Sequence, residues 1–161
     1  MNGLTDSKML SARKRYELST RIQTESIAWA IGRAEVAEID QINILWASLL
    51  AMKRAFDALP VKPDYVYVDG NRYPRLACPG EAVVHGDKTV AAISAASILA
   101  KVYRDREMEI ADKIFPGYDL FSHKGYPTPL HRTRLMQHGP SPVHRLSFGP
   151  VSRLMVYTAP V

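Results

Sequence analysis

Two aspartates, each placed after an apolar segment and beside a glycine, are the residues of this chain best suited to chemistry. Asp69 ends the run Tyr65-Val66-Tyr67-Val68 and precedes Gly70, and Asp87 follows Gly86 further along. An apolar run that ends in a carboxylate predicts a buried strand with an acid at its carboxyl end, the edge where α/β sheets build their sites. Two such acids suit a hard divalent cation and therefore phosphate chemistry. Ordinary turn aspartates are the alternative, since Asp-Gly and Gly-Asp are common turn dipeptides.

The elements that would position these aspartates are a few strands among long helices. Hydrophobic periodicity predicts helices from Ser11, as N-cap, to about Thr24, from about Val36 to Leu59, from about Thr89 to Ile114, and near Leu130–His138. Strands are predicted at 26–33, 65–68 and 82–84. The charged half of the third helix, Lys101–Lys113, is expected to leave the core. Helices alternating with strands predict an α/β layer architecture, although three strands are few for a self-sufficient sheet.

The positive charge of the chain is concentrated in its last quarter. The 161 residues include 21 Lys or Arg and 16 Asp or Glu. Residues 120–161 contain no acid, four of the five histidines, and the cations Lys124, Arg132, Arg134, Arg145 and Arg153. Such a one-sided field favours a polyanionic partner such as nucleic acid, and a solvated basic tail is the alternative.

Composition also limits the cellular compartments and the kinds of site that can be expected of this chain. The single cysteine, Cys78, excludes an internal disulfide and a cysteine zinc site. No stretch has the length of a membrane span and the first residues are polar, so we expect neither a membrane anchor nor a secretory signal. A cytoplasmic protein of one domain is the simplest expectation.

Two further segments carry side chains that could serve a site. Residues 121–128 combine aromatics, cations and a glycine, so Tyr126 and His123 could stack on a base or sugar and Lys124 could meet a phosphate. A loop packed by its own aromatics is the alternative. Asp105 lies between two arginines, which indicates a solvated ion-pair network or, alternatively, a place beside a metal ligand. No phosphate-binding Gly-rich loop is present.

Seven segments of the chain, in order, resemble bacterial ribonuclease HII. They are Leu4-Thr5-Asp6-Ser7-Lys8 with Leu10-Ser11, Glu38-Ile39-Asp40-Gln41-Ile42-Asn43, Val68-Asp69-Gly70-Asn71, Gly86-Asp87, Ile93–Lys101 with Arg104-Asp105, His123–Thr128, and His144–Pro150. The resemblance implies a ribonuclease HII-like domain at 1–150, followed by a C-terminal tail at 151–161. The fold it implies is ribonuclease H-like, a mixed sheet flanked by helices.

The resemblance implies an endonuclease that uses two divalent cations, Mg²⁺ or Mn²⁺, held by four carboxylates. The family cuts the RNA strand of RNA–DNA hybrids and ribonucleotides embedded in duplex DNA, leaving a 5′-phosphate and a 3′-hydroxyl. Asp69 and Asp87 match the third and fourth carboxylates, and Tyr126 matches the tyrosine that stacks on the sugar at the RNA–DNA junction. Residues in the other substrate-binding motifs are Lys8, Asn43, Lys101, His123 and Lys124, and Asp105 is expected beside the metal ligands. A monomer is expected.

The sequence departs from the family's pattern at its start. The family opens with a strand ending in Asp-Glu-x-Gly-Arg-Gly, and this sequence begins after that point, at the segment that contains Lys8. We therefore expect a truncated gene model, with the N-terminal strands and the first two carboxylates missing, and translation of the DNA upstream of Met1 would test this. Two aspartates are expected to hold one cation weakly, so turnover by this chain would be weak or absent. The competing hypotheses are a non-catalytic nucleic-acid-binding remnant and an unrelated α/β interaction domain.

Overall fold

The computed structural model describes residues 10–158, with side chains to residue 155. In chain order, the elements are α1 (Ala12–Glu25), α2 (Val36–Asp57), β1 (Val66–Asp69), β2 (Gly80–Val83), α3 (Gly86–Thr89), α4 (Ala91–Ile114), α5 (Leu120–His123), α6 (Pro129–His138) and α7 (Gly149–Thr158). They form two units, residues 10–33 with 48–103 and residues 34–47 with 104–158. The boundaries between the units fall inside α2 and α4. Within residues 10–158, no helix combines the length and apolarity needed to cross a membrane.

The sheet of the described chain consists of β1 and β2, which pair in parallel. The register places Val66 opposite Gly80 and Asp69 opposite Val83, so both strands end at the same edge. Val68 is the buried residue of β1. This arrangement confirms the α/β class and the two strands predicted at 65–68 and 82–84, with shifts of a residue or two. The described residues contain only the parallel part of the mixed sheet that was expected.

The first unit is built around a cluster of apolar side chains from α1 and α4. Leu18, Ile22, Ile98 and Leu99 are buried there, and the half-buried Trp29 packs against them. Helix α1 begins as predicted, because the Ser11 hydroxyl accepts a hydrogen bond from the N–H of Lys14 at 3.2 Å. The helix therefore presents Leu18 and Ile22, one turn apart, to α4.

The second unit has its own apolar cluster, formed by Met108 and Ala111 of α4 with Tyr118 and Leu120. Met108 is only 4% exposed. The prediction that the charged half of this helix leaves the core is therefore wrong. The charged residues of this half occupy the other faces of the helix, and its few apolar positions suffice to build a second cluster.

The strand predicted at 26–33 is also wrong, since residues 26–35 form no helix or strand. The alternation does not match burial, because Ile27 is 91% exposed while Trp29 packs on the first cluster. Gly32 instead lies directly against α2, where a Cβ would come within 1.9 Å of the Ala51 carbonyl oxygen. An alternating pattern forms a strand only where a neighbouring strand is available to pair with it, and among the described residues β1 and β2 pair only with each other.

Helix α2 is not the continuous helix that its periodicity predicts. Asn43 has φ 63° and ψ 168°, a conformation that breaks the helix at this residue. Its side-chain oxygen accepts the N–H groups of Leu45 at 3.0 Å and Trp46 at 3.3 Å, so it caps the segment that follows. The predicted third helix is confirmed as α4, which begins two residues later than expected, whereas the short α3 and α5 and the C-terminal α7 were not predicted.

Candidate active site

Asp69 lies at the common carboxyl edge of β1 and β2. Its Oδ1 accepts a hydrogen bond from the backbone N–H of Gly86 at 2.9 Å, and the N–H of Gly70 donates to the carbonyl of Val83 at 3.0 Å. The side chain of Asp69 is exposed. The parallel pairing therefore presents the carboxylate at the edge of the sheet, and the turn after β2 fixes one of its two oxygens.

Asp87 comes directly after Gly86 and is the second residue of α3. The turn before it needs His85 in the left-handed conformation, with φ 58°. Gly86 is buried, and a Cβ there would come within 2.4 Å of Ile93 Cδ1 and 3.2 Å of Val83 Cβ. A larger residue at this position would displace Ile93 and crowd Val83, so glycine suits the turn that links the Asp69 contact to Asp87.

The loop that carries Tyr126 belongs to the second unit. Lys124 and Gly125 both have positive φ, 51° and 84°, which turn the chain sharply after α5. The Tyr126 N–H donates to the carbonyl of His123, and the Tyr126 carbonyl accepts from the N–H of Thr128, both at 2.8 Å. The Tyr126 side chain is 57% exposed. A tightly wound backbone thus holds an accessible aromatic ring that can stack on a sugar or base.

His123 and Lys124 are more enclosed than the sequence suggested. His123 is buried, with Nε2 2.8 Å from the carbonyl oxygen of Tyr118 and Nδ1 accepting the N–H of Gly125 at 3.2 Å. Lys124 pairs with Glu109 at 3.0 Å, and its ammonium lies 4.2 Å from the centre of the Phe121 ring. Both side chains therefore stabilise the Tyr126 loop, and direct substrate contact by either remains a prediction.

The remaining predicted site residues are distributed over both units. Lys101 lies half-buried on α4 in the first unit, together with Asp69 and Asp87, whereas Asp105 lies half-buried on α4 in the second. Asn43 is exposed in the second unit, where its side-chain oxygen serves as the helix cap. Lys8 lies outside the described residues. The structure brings Asp69 and Asp87 together in one unit and His123, Lys124 and Tyr126 together in the other.

Two histidines that the sequence reasoning did not single out lie beneath the Tyr126 loop. His131 and His144 are 9% and 7% exposed, and their Nε2 atoms are 3.0 Å apart. Burial lowers the pKa of both from 6.5, that of His144 to about 4. The signal in the sequence is the concentration of histidines after residue 120, a segment that contains four of the five.

Asp40 is a further residue that only the structure identifies. Its carboxylate accepts the N–H groups of Leu146 and Ser147, both at 2.9 Å, and the Ser147 hydroxyl. Burial acts to raise its pKa, but these hydrogen bonds and the nearby Arg145 together lower the pKa below its usual value. Asp40 therefore anchors the segment between α6 and α7 to the first turns of α2, within the second unit.

Asp69 and Asp87 fit one hard divalent cation. Mg²⁺ prefers oxygen ligands, keeps several waters, and is commonly held by one or two carboxylates together with substrate phosphates. One carboxylate oxygen of Asp69 accepts the Gly86 N–H, which leaves the second oxygen to meet a cation. Asp87 is the other predicted ligand, on the turn that follows Gly86. No group of three or more His, Cys, Asp or Glu side chains within the described chain is arranged to hold a metal ion. A metal site formed by Asp69 and Asp87 therefore remains a prediction.

The comparisons with known proteins agree with this geometry. The α/β fold resembles that of a solved ribonuclease H2 from Pyrococcus horikoshii OT3, with a TM-score of 0.80 at 23% identity, over 96% of this chain and 81% of that one. Residues 1–151 match the model of the family "Ribonuclease HII". A ribonuclease HII from Methylococcus capsulatus is 64% identical over 150 residues, which cover 93% of this chain and 78% of the relative.

The chain therefore belongs to the ribonuclease HII family. Its fold is that of a ribonuclease H2, and the resemblance read from its motifs is confirmed. Membership of this family identifies the chain as an enzyme of the ribonuclease H type, which is a nuclease and a hydrolase. Members of the family depend in general on divalent metal. The roles of the individual residues, including Asp69, Asp87 and Tyr126, remain predictions.

Proposed function

We propose that this chain is an endonuclease that cleaves the RNA strand of RNA–DNA hybrids and also cleaves at ribonucleotides embedded in duplex DNA. The observation that carries the proposal is the placement of Asp69 at the carboxyl edge of β1 and β2. Its carboxylate accepts the N–H of Gly86, the residue directly before Asp87. Phosphodiester hydrolysis by this family needs carboxylates at such an edge. The 64% identity to a ribonuclease HII supports the choice of substrate.

Asp69 and Asp87 are the proposed metal ligands and the proposed catalytic carboxylates. Asp69 and Asp87 would hold Mg²⁺ or Mn²⁺, which would supply an activated water and stabilise the departing 3′-oxygen. Attack of water on phosphorus breaks the bond to that oxygen, which takes up a proton. The products are a 3′-hydroxyl on one fragment and a 5′-phosphate on the other. The Gly86 N–H keeps the Asp69 carboxylate oriented throughout.

The other proposed site residues bind and orient the nucleic acid. The exposed ring of Tyr126 is proposed to stack on the sugar at the RNA–DNA junction. Lys8, Asn43, Lys101, His123 and Lys124 are proposed substrate-binding residues, and Asp105 is proposed to support the metal ligands. The Lys124 ammonium pairs with Glu109 through one of its three donors, so its contact with a phosphate would compete with this ion pair. We further propose that the protein acts as a monomer in the cytoplasm, where its substrates lie.

The 161-residue chain by itself is expected to turn over weakly. Two carboxylates hold one cation, whereas the two-metal mechanism proposed for the family requires a fixed pair of cations and therefore more ligands. The direct test is cleavage of two labelled substrates by the pure chain in Mg²⁺ and in Mn²⁺. One is an RNA–DNA hybrid, and the other is a DNA duplex with one embedded ribonucleotide.

Asp69→Asn is the decisive variant, and Asp64→Asn is its matched control. Asparagine keeps an oxygen that can accept from Gly86 but removes the charge that a cation needs, so we expect cleavage to disappear. Asp64 is an exposed residue five positions earlier, so Asp64→Asn should cleave like the unaltered chain. Equal cleavage by Asp69→Asn and the unaltered chain would exclude Asp69 as a metal ligand, and robust turnover by the unaltered chain would contradict the expected weakness.

A non-catalytic nucleic-acid-binding protein is the second candidate function. The observation that favours it is the absence of acids from residues 120–161, which carry five Lys and Arg residues. Binding of a hybrid that weakens as salt rises, without cleavage in either metal, would support this function. Failure to bind any hybrid or ribonucleotide-containing duplex would contradict both candidates.

A further inference from the structure

A continuous line of hydrogen bonds runs beneath the Tyr126 loop in the second unit. At one end, His144 Nδ1 lies 3.1 Å from the Ser141 N–H nitrogen and 2.8 Å from the Ser141 hydroxyl. His144 Nε2 then lies 3.0 Å from His131 Nε2. At the other end, His131 Nδ1 lies 2.9 Å from the carbonyl oxygen of Tyr126. Ser141, His131 and His144 are all buried, so these bonds are shielded from water.

The partners of each nitrogen assign the protons along this line. A carbonyl oxygen can only accept, so His131 Nδ1 carries a hydrogen and donates it to Tyr126. A backbone N–H can only donate, so His144 Nδ1 is bare. The neutral His144 therefore carries its hydrogen on Nε2 and donates it to the bare Nε2 of His131. Every donor points towards Tyr126, an arrangement in which each bond polarises and strengthens the next.

A third histidine, His123, binds Gly125, the residue before Tyr126. His123 Nε2 donates to the carbonyl of Tyr118 and His123 Nδ1 accepts the N–H of Gly125. The His123 ring also stacks on the His131 ring, with centroids 4.0 Å apart and planes 15° from parallel. The Gly125 N–H and the Tyr126 carbonyl are thus both bound to stacked imidazoles, which fixes the backbone on either side of the peptide that precedes Tyr126.

We propose that His131 and His144 are positioning residues that hold the Tyr126 ring in the orientation needed to meet the ribonucleotide. The inference rests on the proposed role of Tyr126 and deepens it, because it identifies what sets the preference for RNA. Removing the hydrogen bond to the Tyr126 carbonyl should reduce that preference while leaving the general attraction to duplex phosphates unchanged. The low pKa of His144, about 4, agrees with a neutral imidazole at this place.

His131→Asn and His131→Gln are a pair of variants that separates positioning from stability. The asparagine amide reaches the place of Nδ1 and can still donate to Tyr126, whereas the glutamine amide reaches the place of Nε2 and cannot. Both variants lose the imidazole and one of its two hydrogen bonds, so their thermal unfolding midpoints should be similar. His138→Gln is the control, since His138 is an exposed histidine on the same helix, α6, outside the hydrogen-bonded line.

The probes are a DNA duplex with one embedded ribonucleotide and the same duplex made only of DNA, bound without divalent cations and followed by fluorescence anisotropy. The unaltered chain should prefer the ribonucleotide duplex. His131→Gln should lower this preference about three- to tenfold, the effect of one net hydrogen bond, and His131→Asn and His138→Gln should keep it. A preference that is unchanged in His131→Gln would overturn the inference. No preference in the unaltered chain would instead remove the proposed role of Tyr126.

A second measurement tests the same line of bonds without any variant or substrate. Long-range ¹⁵N–¹H NMR spectra of the unaltered chain at neutral pH should show His131 protonated at Nδ1 and His144 protonated at Nε2. The opposite tautomer at either residue, or an imidazolium, would contradict the inference whatever the binding data show. Because this readout does not depend on nucleic acid, it separates a failure of the positioning role from a failure of the proposed function.

Discussion

Acid should destabilise this protein through His144 in particular. Its pKa in the folded chain is about 4, lowered from 6.5 by burial first and then by the neighbouring His131. The unfolded chain therefore binds a proton at a pH where the folded chain does not. The stability that the neutral imidazole contributes is complete above pH 6.5 and is lost as the pH falls towards 4. The lowered pKa of His131 acts in the same direction.

The magnitude follows from the two pKa values of His144. Each unit of difference corresponds to about 1.4 kcal/mol, so protonation of the unfolded chain costs about 3 kcal/mol of unfolding free energy once the pH is below both values. At pH 5 the loss is about 2 kcal/mol. It is large because a domain of this size is stable by only about 5–15 kcal/mol.

The assay is urea unfolding followed by circular dichroism at pH 8, 6.5 and 5, for the unaltered chain and for His144→Gln. Glutamine does not titrate but can still donate from the position of Nε2. The variant should be less stable at pH 8, and the difference in unfolding free energy should shrink by about 2 kcal/mol between pH 8 and pH 5. Carboxylates titrate in both proteins and cancel in this comparison. A difference that is constant across this range would show that His144 is not held neutral by burial.

Two glycines give further predictions. Gly80→Ala would place a Cβ 2.2 Å from the carbonyl oxygen of Val66, so β1 and β2 would have to separate. The urea midpoint should therefore fall by the equivalent of about 1–3 kcal/mol. An unchanged midpoint would contradict the pairing of these strands. Gly125→Ala would strain a backbone at φ 84° and bring Cβ within 3.3 Å of Met108 Sδ. We expect the free energy of unfolding to fall by about 1–2 kcal/mol and the preference for RNA to weaken. Normal stability and preference would show that the turn adapts.

Features that depend on neighbours in sequence were predicted well. The Ser11 cap of α1 is made within three residues, so the residue types alone specify it. The strand that ends at Asp69 was equally clear, because its apolar run and its Gly70 are contiguous. The same holds for the likeness to ribonuclease HII, which rests on short segments in order.

Features that depend on a distant partner were predicted poorly. The segment at 26–33 alternates like a strand, but Gly32 lies against α2 rather than beside a strand. The break at Asn43 could not be found from periodicity, because the apolar spacing continues through it. The role of Asp40 depends on Leu146 and Ser147, more than 100 residues away in sequence. Sequence patterns record which faces are apolar but not which element will cover them.

The last quarter of the chain shows how the structure changes the meaning of a composition. Two of its five Lys and Arg residues pair with acids that precede residue 120: Lys124 with Glu109, and Arg134 with Asp119. Two of its histidines, His131 and His144, are buried and hydrogen-bonded to each other, and burial lowers the pKa of both, so at neutral pH they add nothing to the field. The positive charge available to a nucleic acid is therefore smaller than the sequence suggests.

This reduction shifts the expected source of selectivity. Charge attracts every duplex alike, because phosphates carry no information about the sugar. Histidines of the acid-free segment instead bind the backbone of Gly125 and Tyr126, and these bonds hold the exposed Tyr126 ring at a defined place. An aromatic ring at a fixed position can respond to a sugar, whereas a mobile one adds only affinity. Preference for RNA should therefore follow the order of the Tyr126 loop, and overall affinity should follow the remaining cations of this segment.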